Sequence, residues 1–403
     1  MPPLLTAARL GLAGAAWAVA TLLWASAAAA APPGYSGAHL ERTKLPRLCG
    51  SCHRGHGASR SAMLAAAAER LCYRCHGGSA ARAQAVKDGV LARTAQPADV
   101  AADFAKPYRH PIERASLHRT RERLPERGAA TPRHAACPDC HNPHVAGPSE
   151  PRSILGLRAR RSPLPGVATE AELCFRCHGP TASRAARAVD VSRQVDLRNA
   201  SAHAVLAPGR PGRVPSLVLP WTPSSILACT DCHGGDGDAG RRGVHGSSYQ
   251  HLLRERYATQ DGAPESAAAY ALCYRCHSRR SILGNESFRY HSRHLLNLGA
   301  RGPASCRACH TAHGSARNPA LIEFDRAVVL PDRYGRTSYQ PTGAVGGLCR
   351  LSCHGVEHPV ARAGDIAPRM PSPRLPLAPG LEVEPMPVRP GLQPPVRPSP
   401  LRR

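Results

Sequence analysis

Two thiols and an imidazole recur together eight times along this chain. Seven occurrences are Cys-x-x-Cys-His: Cys49/Cys52/His53, Cys72/Cys75/His76, Cys137/Cys140/His141, Cys174/Cys177/His178, Cys229/Cys232/His233, Cys273/Cys276/His277 and Cys306/Cys309/His310. The eighth, Cys349/Cys353/His354, has three residues between its thiols, and together the eight use all 16 cysteines. On one helical turn, residues i, i+3 and i+4 share a face. Covalent haem needs that arrangement: two thioethers to the vinyl groups of one porphyrin edge, and an imidazole reaching the iron from the same side. Tandem Cys-x-x-Cys pairs also make structural zinc sites, and exported chains pair cysteines as disulfides. Neither alternative explains a histidine after the second cysteine every time. The expected cofactor is haem c in eight copies, one of them at Cys349/Cys353. There a bulged backbone would let the longer loop span the haem edge, with His354 in its usual place.

The other side of each iron needs a ligand too. Of 21 histidines, 13 lie outside the motifs, while methionine is confined to Met1, Met63, Met370 and Met386. Methionine ligation is therefore nearly excluded, and histidine partners imply low potentials. The extra histidines repeat in position. His56, His144 and His313 stand three residues past an odd-numbered motif. The third repeat has Asp236 there, but Val-His-Gly-Ser at 244–247 matches Ala-His-Gly-Ser at 312–315, so His245 takes the role after an insertion. His39, His110, His203 and His294 each precede an odd motif. Those four plus four give eight distal candidates for eight irons, with His118, His134, His291 and His358 as substitutes.

The elements that must position these groups follow a repeat. Odd and even motifs alternate, and the odd motifs begin at Cys49, Cys137, Cys229 and Cys306, in steps of 88, 92 and 77 residues. The expected organisation is four dihaem repeats, 31–100, 101–195, 196–285 and 286–363. Even motifs close short Ala-rich helices, predicted over Ala62–Cys75, Thr169–Cys177 and Glu265–Cys276, with Thr169/Glu172 as a capping box and Pro264 at a start. Connections such as Pro208–Pro223 are too rich in Pro and Gly for long elements. Aromatics are only 4%, so porphyrins must supply much of the apolar interior. The expected fold is mostly irregular coil with short α-helices wrapped around a chain of covalently bound haems, with little or no β-sheet.

Residues 1–30 read as a signal peptide: Arg9, an apolar run Leu10–Leu23, then small residues Ser26–Ala31 with cleavage after Ala30. No later segment approaches 18 apolar residues, so the mature chain is expected to be soluble and exported, in the periplasm or associated with the outer membrane or extracellular space. Residues 364–403 read as a disordered Pro/Arg-rich tail. The formal net charge is +25. Losing Arg9 leaves +24, and sixteen propionates on eight haems bring that to +8, so much of the basicity balances haem carboxylates. Export argues against nucleic acid as the partner.

These residues resemble the multihaem c-type cytochromes with doubled CXXCH motifs, in which CxxCHxxH alternates with LCxxCH. The resemblance runs from about His39 to His358, departing from the pattern at Cys349/Cys353 and at the displaced His245. It implies an exported bis-His, low-potential electron carrier with closely spaced haems and no catalytic residues. Its partners would be other redox proteins: a quinol-linked donor, an outer-membrane conduit or a terminal acceptor, with end-to-end homo-oligomers also open. The competing class is a multihaem oxidoreductase with one open haem acting on a small nitrogen or sulfur compound. Such enzymes often mark that haem with Lys in place of the proximal His. Here all eight motifs end in His, and Lys44, Lys87 and Lys106 follow no cysteine pair.

Overall fold

The computed structural model describes residues 37–55, 63–112, 135–144, 170–180, 189–209, 214–236, 243–296, 302–342 and 346–358. The expected leader, the Pro/Arg-rich tail, His56 and the Thr169 cap lie outside these residues. The described residues belong to one compact unit, residues 1–360.

Among them are eleven short α-helices and little sheet. The helices Ala68–His76, Ser79–Lys87 and Glu170–His178 are nine residues each; most others are single turns. The predicted helix from Ala62 starts only at Ala68. Met63 takes a left-handed φ of 49°, and Leu64 bridges back to His53. The predicted helix from Glu265 shrinks to Ala271–Tyr274, because Ser266 turns the chain by accepting the Ala269 N–H. Odd motifs sit on single turns: Leu48–Ser51 (3₁₀), Cys137–Cys140, Cys229–Cys232 and Cys306–Cys309. In two of these turns the motif's own aspartate caps the start. Asp139 accepts the Ala136 N–H at 2.7 Å, and Asp231 accepts the Ala228 N–H at 2.8 Å.

The strands are short connectors between repeats. β1 (Tyr108–Arg109) pairs antiparallel with β3 (Gly246–Ser247), and β2 (Ser201–Ala202) with β4 (Gly314–Ser315). These are equivalent links: each joins the segment before an upstream histidine to the His-Gly-Ser of the following repeat. Close approach makes glycine necessary there. A Cβ on Gly246 would collide with the Asp103 carbonyl, and one on Gly314 with the Gln194 carbonyl. A four-stranded sheet closes the unit, built from β5 (Val329–Leu330), β6 (Ser338–Pro341), β7 (Gly347–Cys353) and β8 (Val356–His358), with β7 central.

The buried apolar residues are mostly small. Leu45, Ala85 and Leu91 form one cluster, with Cys75, Val86 and Ala95 against it. Tyr270 is the largest fully buried side chain among the described residues. No described helix is long and apolar enough to cross a membrane.

Candidate haem centres

The motif cysteines form a chain in sequence order. The Cys72 thiol hydrogen-bonds Cys137, Cys174 bonds Cys229, and Cys273 bonds Cys306. Each bond joins the even motif of one repeat to the odd motif of the next. Within repeats, Cys52 and Cys75, Cys140 and Cys177, and Cys232 and Cys276 lie close enough to influence each other's ionisation, as do Cys309 and the Cys349/Cys353 pair. All sixteen thiols are free of disulfides. Glu170, Cys174 and Cys229 have ligand atoms within 4.8 Å of one another. The Glu170 carboxylate there accepts the Thr230 N–H and hydroxyl at 2.7 and 2.8 Å.

The imidazoles are arranged in pairs. His39 faces His76 with ring centres 6.3 Å apart, His53 faces His144 at 6.1 Å, and His110 faces His178 at 6.3 Å. His141 faces His245 at 5.9 Å, His233 faces His313 at 6.2 Å, His291 faces His310 at 6.4 Å, and His294 faces His358 at 6.2 Å. A metal–imidazole bond is about 2.0–2.1 Å, and with ~1.1 Å from nitrogen to ring centre a trans pair has centres about 6.2–6.3 Å apart. The observed separations fit that distance. His277 has His203 as the first of the neighbouring imidazoles acting on it.

The pairing follows a rule across repeats. Each upstream histidine of the first two repeats faces the even motif of its own repeat: His39 to His76 and His110 to His178. Three described histidines that follow an odd motif face the odd motif one repeat earlier: His144 to His53, His245 to His141, His313 to His233. The odd motif of the fourth repeat is completed differently. Its His310 is faced by His291, from the helix His291–Leu296.

The strand links create this crossing. His110 follows β1 and donates from Nδ1 to the Val244 carbonyl at 2.7 Å, beside His245. His203 follows β2 and donates to Ala312 O at 2.5 Å, beside His313. His39 does the same to Pro143 O at 2.8 Å, beside His144. Thus these three upstream histidines are each oriented by the carbonyl just before a crossing histidine, while His294 donates to Tyr290 O within its own helix.

Motif histidines are oriented likewise. Nδ1 of His76 donates to Ala98 O, that of His233 to His251 O and that of His310 to Ala320 O, at 2.8–2.9 Å. The His277 Nδ1 meets the Ser216 hydroxyl at 2.9 Å, and His313 donates to Gln194 Oε1 at 2.7 Å. A carbonyl only accepts, so the Nδ1 proton is fixed and the Nε2 lone pair is left for a metal. Burial holds several of these rings neutral: His245, His277, His291 and His313 are each pushed down to about 4. Neutral imidazole is the ligating form.

The carbonyls that orient His233 and His310 come from a feature that motif spacing does not reveal. His251 and Leu252 both have left-handed φ, 62° and 56°, as do Ala320 and Leu321, 55° and 57°. Each pair turns the chain so that the next residue bridges back: Leu253 to His233, and Ile322 to His310. Consecutive non-glycine residues there are strained, and strain of this kind gathers at functional sites. The available signal was the recurring apolar group after odd motifs, Met63-Leu64, His251-Leu252-Leu253 and Ala320-Leu321-Ile322.

The eighth motif differs. Cys349 and Cys353 lie on strand β7 and not on a helical turn. His354 bonds Asp261 Oδ2 through Nε2 at 3.1 Å, while His294 faces His358.

Facing imidazoles, many of them anchored through Nδ1, beside paired thiols fit covalently bound haem in donor type and separation. No curated protein and no solved structure matches the chain. The family model of the doubled CXXCH motif matches residues 44–81 and 223–281, so in these regions the chain carries the doubled CXXCH motif, consistent with a multihaem c-type cytochrome.

Proposed function

We propose that the protein is an exported octahaem electron carrier with bis-His, low-potential haems. It would pass electrons between periplasmic or outer-membrane redox proteins, or towards extracellular acceptors. The observation that carries this reading is the set of facing imidazoles, seven pairs 5.9–6.4 Å apart between ring centres. Bound at such sites, haem supplies reversible one-electron chemistry that neighbouring sites exchange. The cysteine pairs would tether the group, and the two imidazoles of each pair would hold it between them and keep substrate away. Anchoring through Nδ1, as at His39, His76, His110, His233, His310 and His313, would keep those rings in place and limit reorganisation. Three thiol bonds and two strand links tie consecutive repeats into one array.

The signal-like leader supports export, and the positive surface left after propionate pairing supports acidic redox partners. Low-temperature EPR of the oxidised protein, with haem counted on the same sample, tests the reading. Eight haems with only low-spin signals are expected. A stoichiometric high-spin iron would turn the reading towards an oxidoreductase.

A further inference from the structure

In each of the first two repeats, the upstream histidine faces the histidine that directly follows the second cysteine of the even motif. By that rule His294 should face His354. It faces His358 instead, with ring centres 6.2 Å apart and planes within 25°.

The cause lies in the backbone around the extra residue. In a strand, residues i, i+2 and i+4 line one face. Cys349, Leu351 and Cys353 on β7 therefore share a face, and Leu351 is buried. The chain reverses through His354 and Gly355, both with positive φ, 51° and 73°, a pair of angles that suits a two-residue hairpin turn. In the antiparallel register Leu351 lies opposite His358, and directly opposed residues project from the same face. The hairpin thus sets one imidazole across from the midpoint between the two thiols.

His354 is committed elsewhere. Ten other histidines bond a carbonyl, hydroxyl or amide through Nδ1, leaving Nε2 available. His354 uses Nε2, the atom a motif histidine needs for iron, to meet Asp261 Oδ2 at 3.1 Å. Asp261 Oδ1 in turn accepts the Ser305 N–H at 2.8 Å, at the start of the Cys306–Cys309 turn. The His354–Asp261 contact therefore ties the hairpin turn to the neighbouring motif.

We propose that His358, opposite His294, is the axial ligand for the haem tethered at Cys349 and Cys353, and that His354 is a positioning residue. The attachment unit is then Cys-x3-Cys-x4-His on a β-hairpin. This rests on the reading of the chain as a multihaem cytochrome, and concerns one iron of eight.

The test compares oxidised, full-length H358A and H354Q by EPR, with haem content and the haem state of the Cys349–Cys353 peptide from mass spectrometry. H358A is expected to convert one low-spin iron to high-spin, and added imidazole to restore it. H354Q is expected to keep every iron low-spin. Should H358A accumulate poorly, H358M serves: one haem acquires a thioether-to-iron charge-transfer band and a raised potential. A high-spin iron in H354Q, an unchanged H358A or H358M, or a haem-free Cys349–Cys353 peptide in the wild type overturns the assignment. The other seven irons stay low-spin in each of those cases, so failure of the ligand assignment is separable from failure of the carrier reading, which would show as an open iron or missing haems elsewhere in the wild type.

Discussion

His53 and His144 stand 6.1 Å apart with ring planes only 10° from parallel, although they belong to consecutive repeats. The same crossing joins His141 to His245 and His233 to His313. A repeat in this protein is therefore not a self-sufficient dihaem module. In the first three repeats the odd-motif histidine is faced by a histidine of the next repeat, and the chain is stitched together through these imidazole pairs.

This makes the consequence of losing one histidine specific. His313 lies three residues from His310 in sequence, yet faces His233. H313A should produce one high-spin iron by EPR. If His313 serves His233, the H310A/H313A double variant opens two irons, while H233A/H313A strips both ligands from a single one. The reverse result would assign His313 to its own motif.

The crossing depends on two glycines. Gly246 and Gly314 lie where β1–β3 and β2–β4 bring backbones together, and an added methyl would meet a carbonyl in each case. Alanine at either position should cost about 1–3 kcal/mol, as overpacking against backbone does. The denaturant midpoint of the holoprotein checks the cost. G246A should also weaken the low-spin signal of the His141/His245 site, and G314A that of the His233/His313 site.

Much of this was legible from residue order. The cysteine pairs, the following histidines, the two-motif repeat and six of the non-motif histidines found facing another imidazole all stand out in the sequence. His245 was recognisable despite its displacement, because Val-His-Gly-Ser copies Ala-His-Gly-Ser. The crossing was not legible. It is made by two-residue strands too short to leave an alternating pattern, and by single carbonyl acceptors such as Val244 O and Ala312 O. His291, which faces His310, carries no repeat signature, since it sits on the helix His291–Leu296 and not after an odd motif. The strand form of the eighth motif was hidden for a related reason. One inserted residue alters both the face that a cysteine occupies and the element it can belong to.

Acid should destabilise the protein over a definite window. His245, His277, His291 and His313 are pushed down to about 4, mainly by burial, from an ordinary 6.5. Between those values the unfolded chain binds protons that the folded chain refuses, so stability rises with pH there. The contribution is fully present above about pH 6.5 and is lost as pH falls through 4. Iron bound at Nε2 competes with the proton and moves the lower limit further down. Denaturant midpoints of the oxidised holoprotein should be flat above neutrality in this respect and fall below about pH 6.5. A midpoint that rises on acidification through this range would contradict the burial of neutral rings.

A buried ion pair holds the third even motif in place. Glu265 is 1% exposed at its side chain and meets Arg279 Nη2 at 2.6 Å and Nε at 2.9 Å, while the Tyr274 hydroxyl donates to it at 2.8 Å. Tyr274 directly follows Cys273, and Arg279 opens the helix Arg279–Leu283, so the carboxylate ties both flanks of the motif together. Removing one partner leaves the other desolvated and unpaired, which costs about 3–5 kcal/mol at a fully buried site. Arg279 keeps 20% exposure, so the lower end applies, about 3 kcal/mol for R279A. E265Q preserves shape and the tyrosine contact while removing the charge, and should cost less than R279A, which strands a carboxylate. Denaturation of both variants by urea, followed at the haem absorbance, orders the two costs. If R279A were the milder change, the carboxylate would be reaching water, and the motif would be held by packing instead of by the pair.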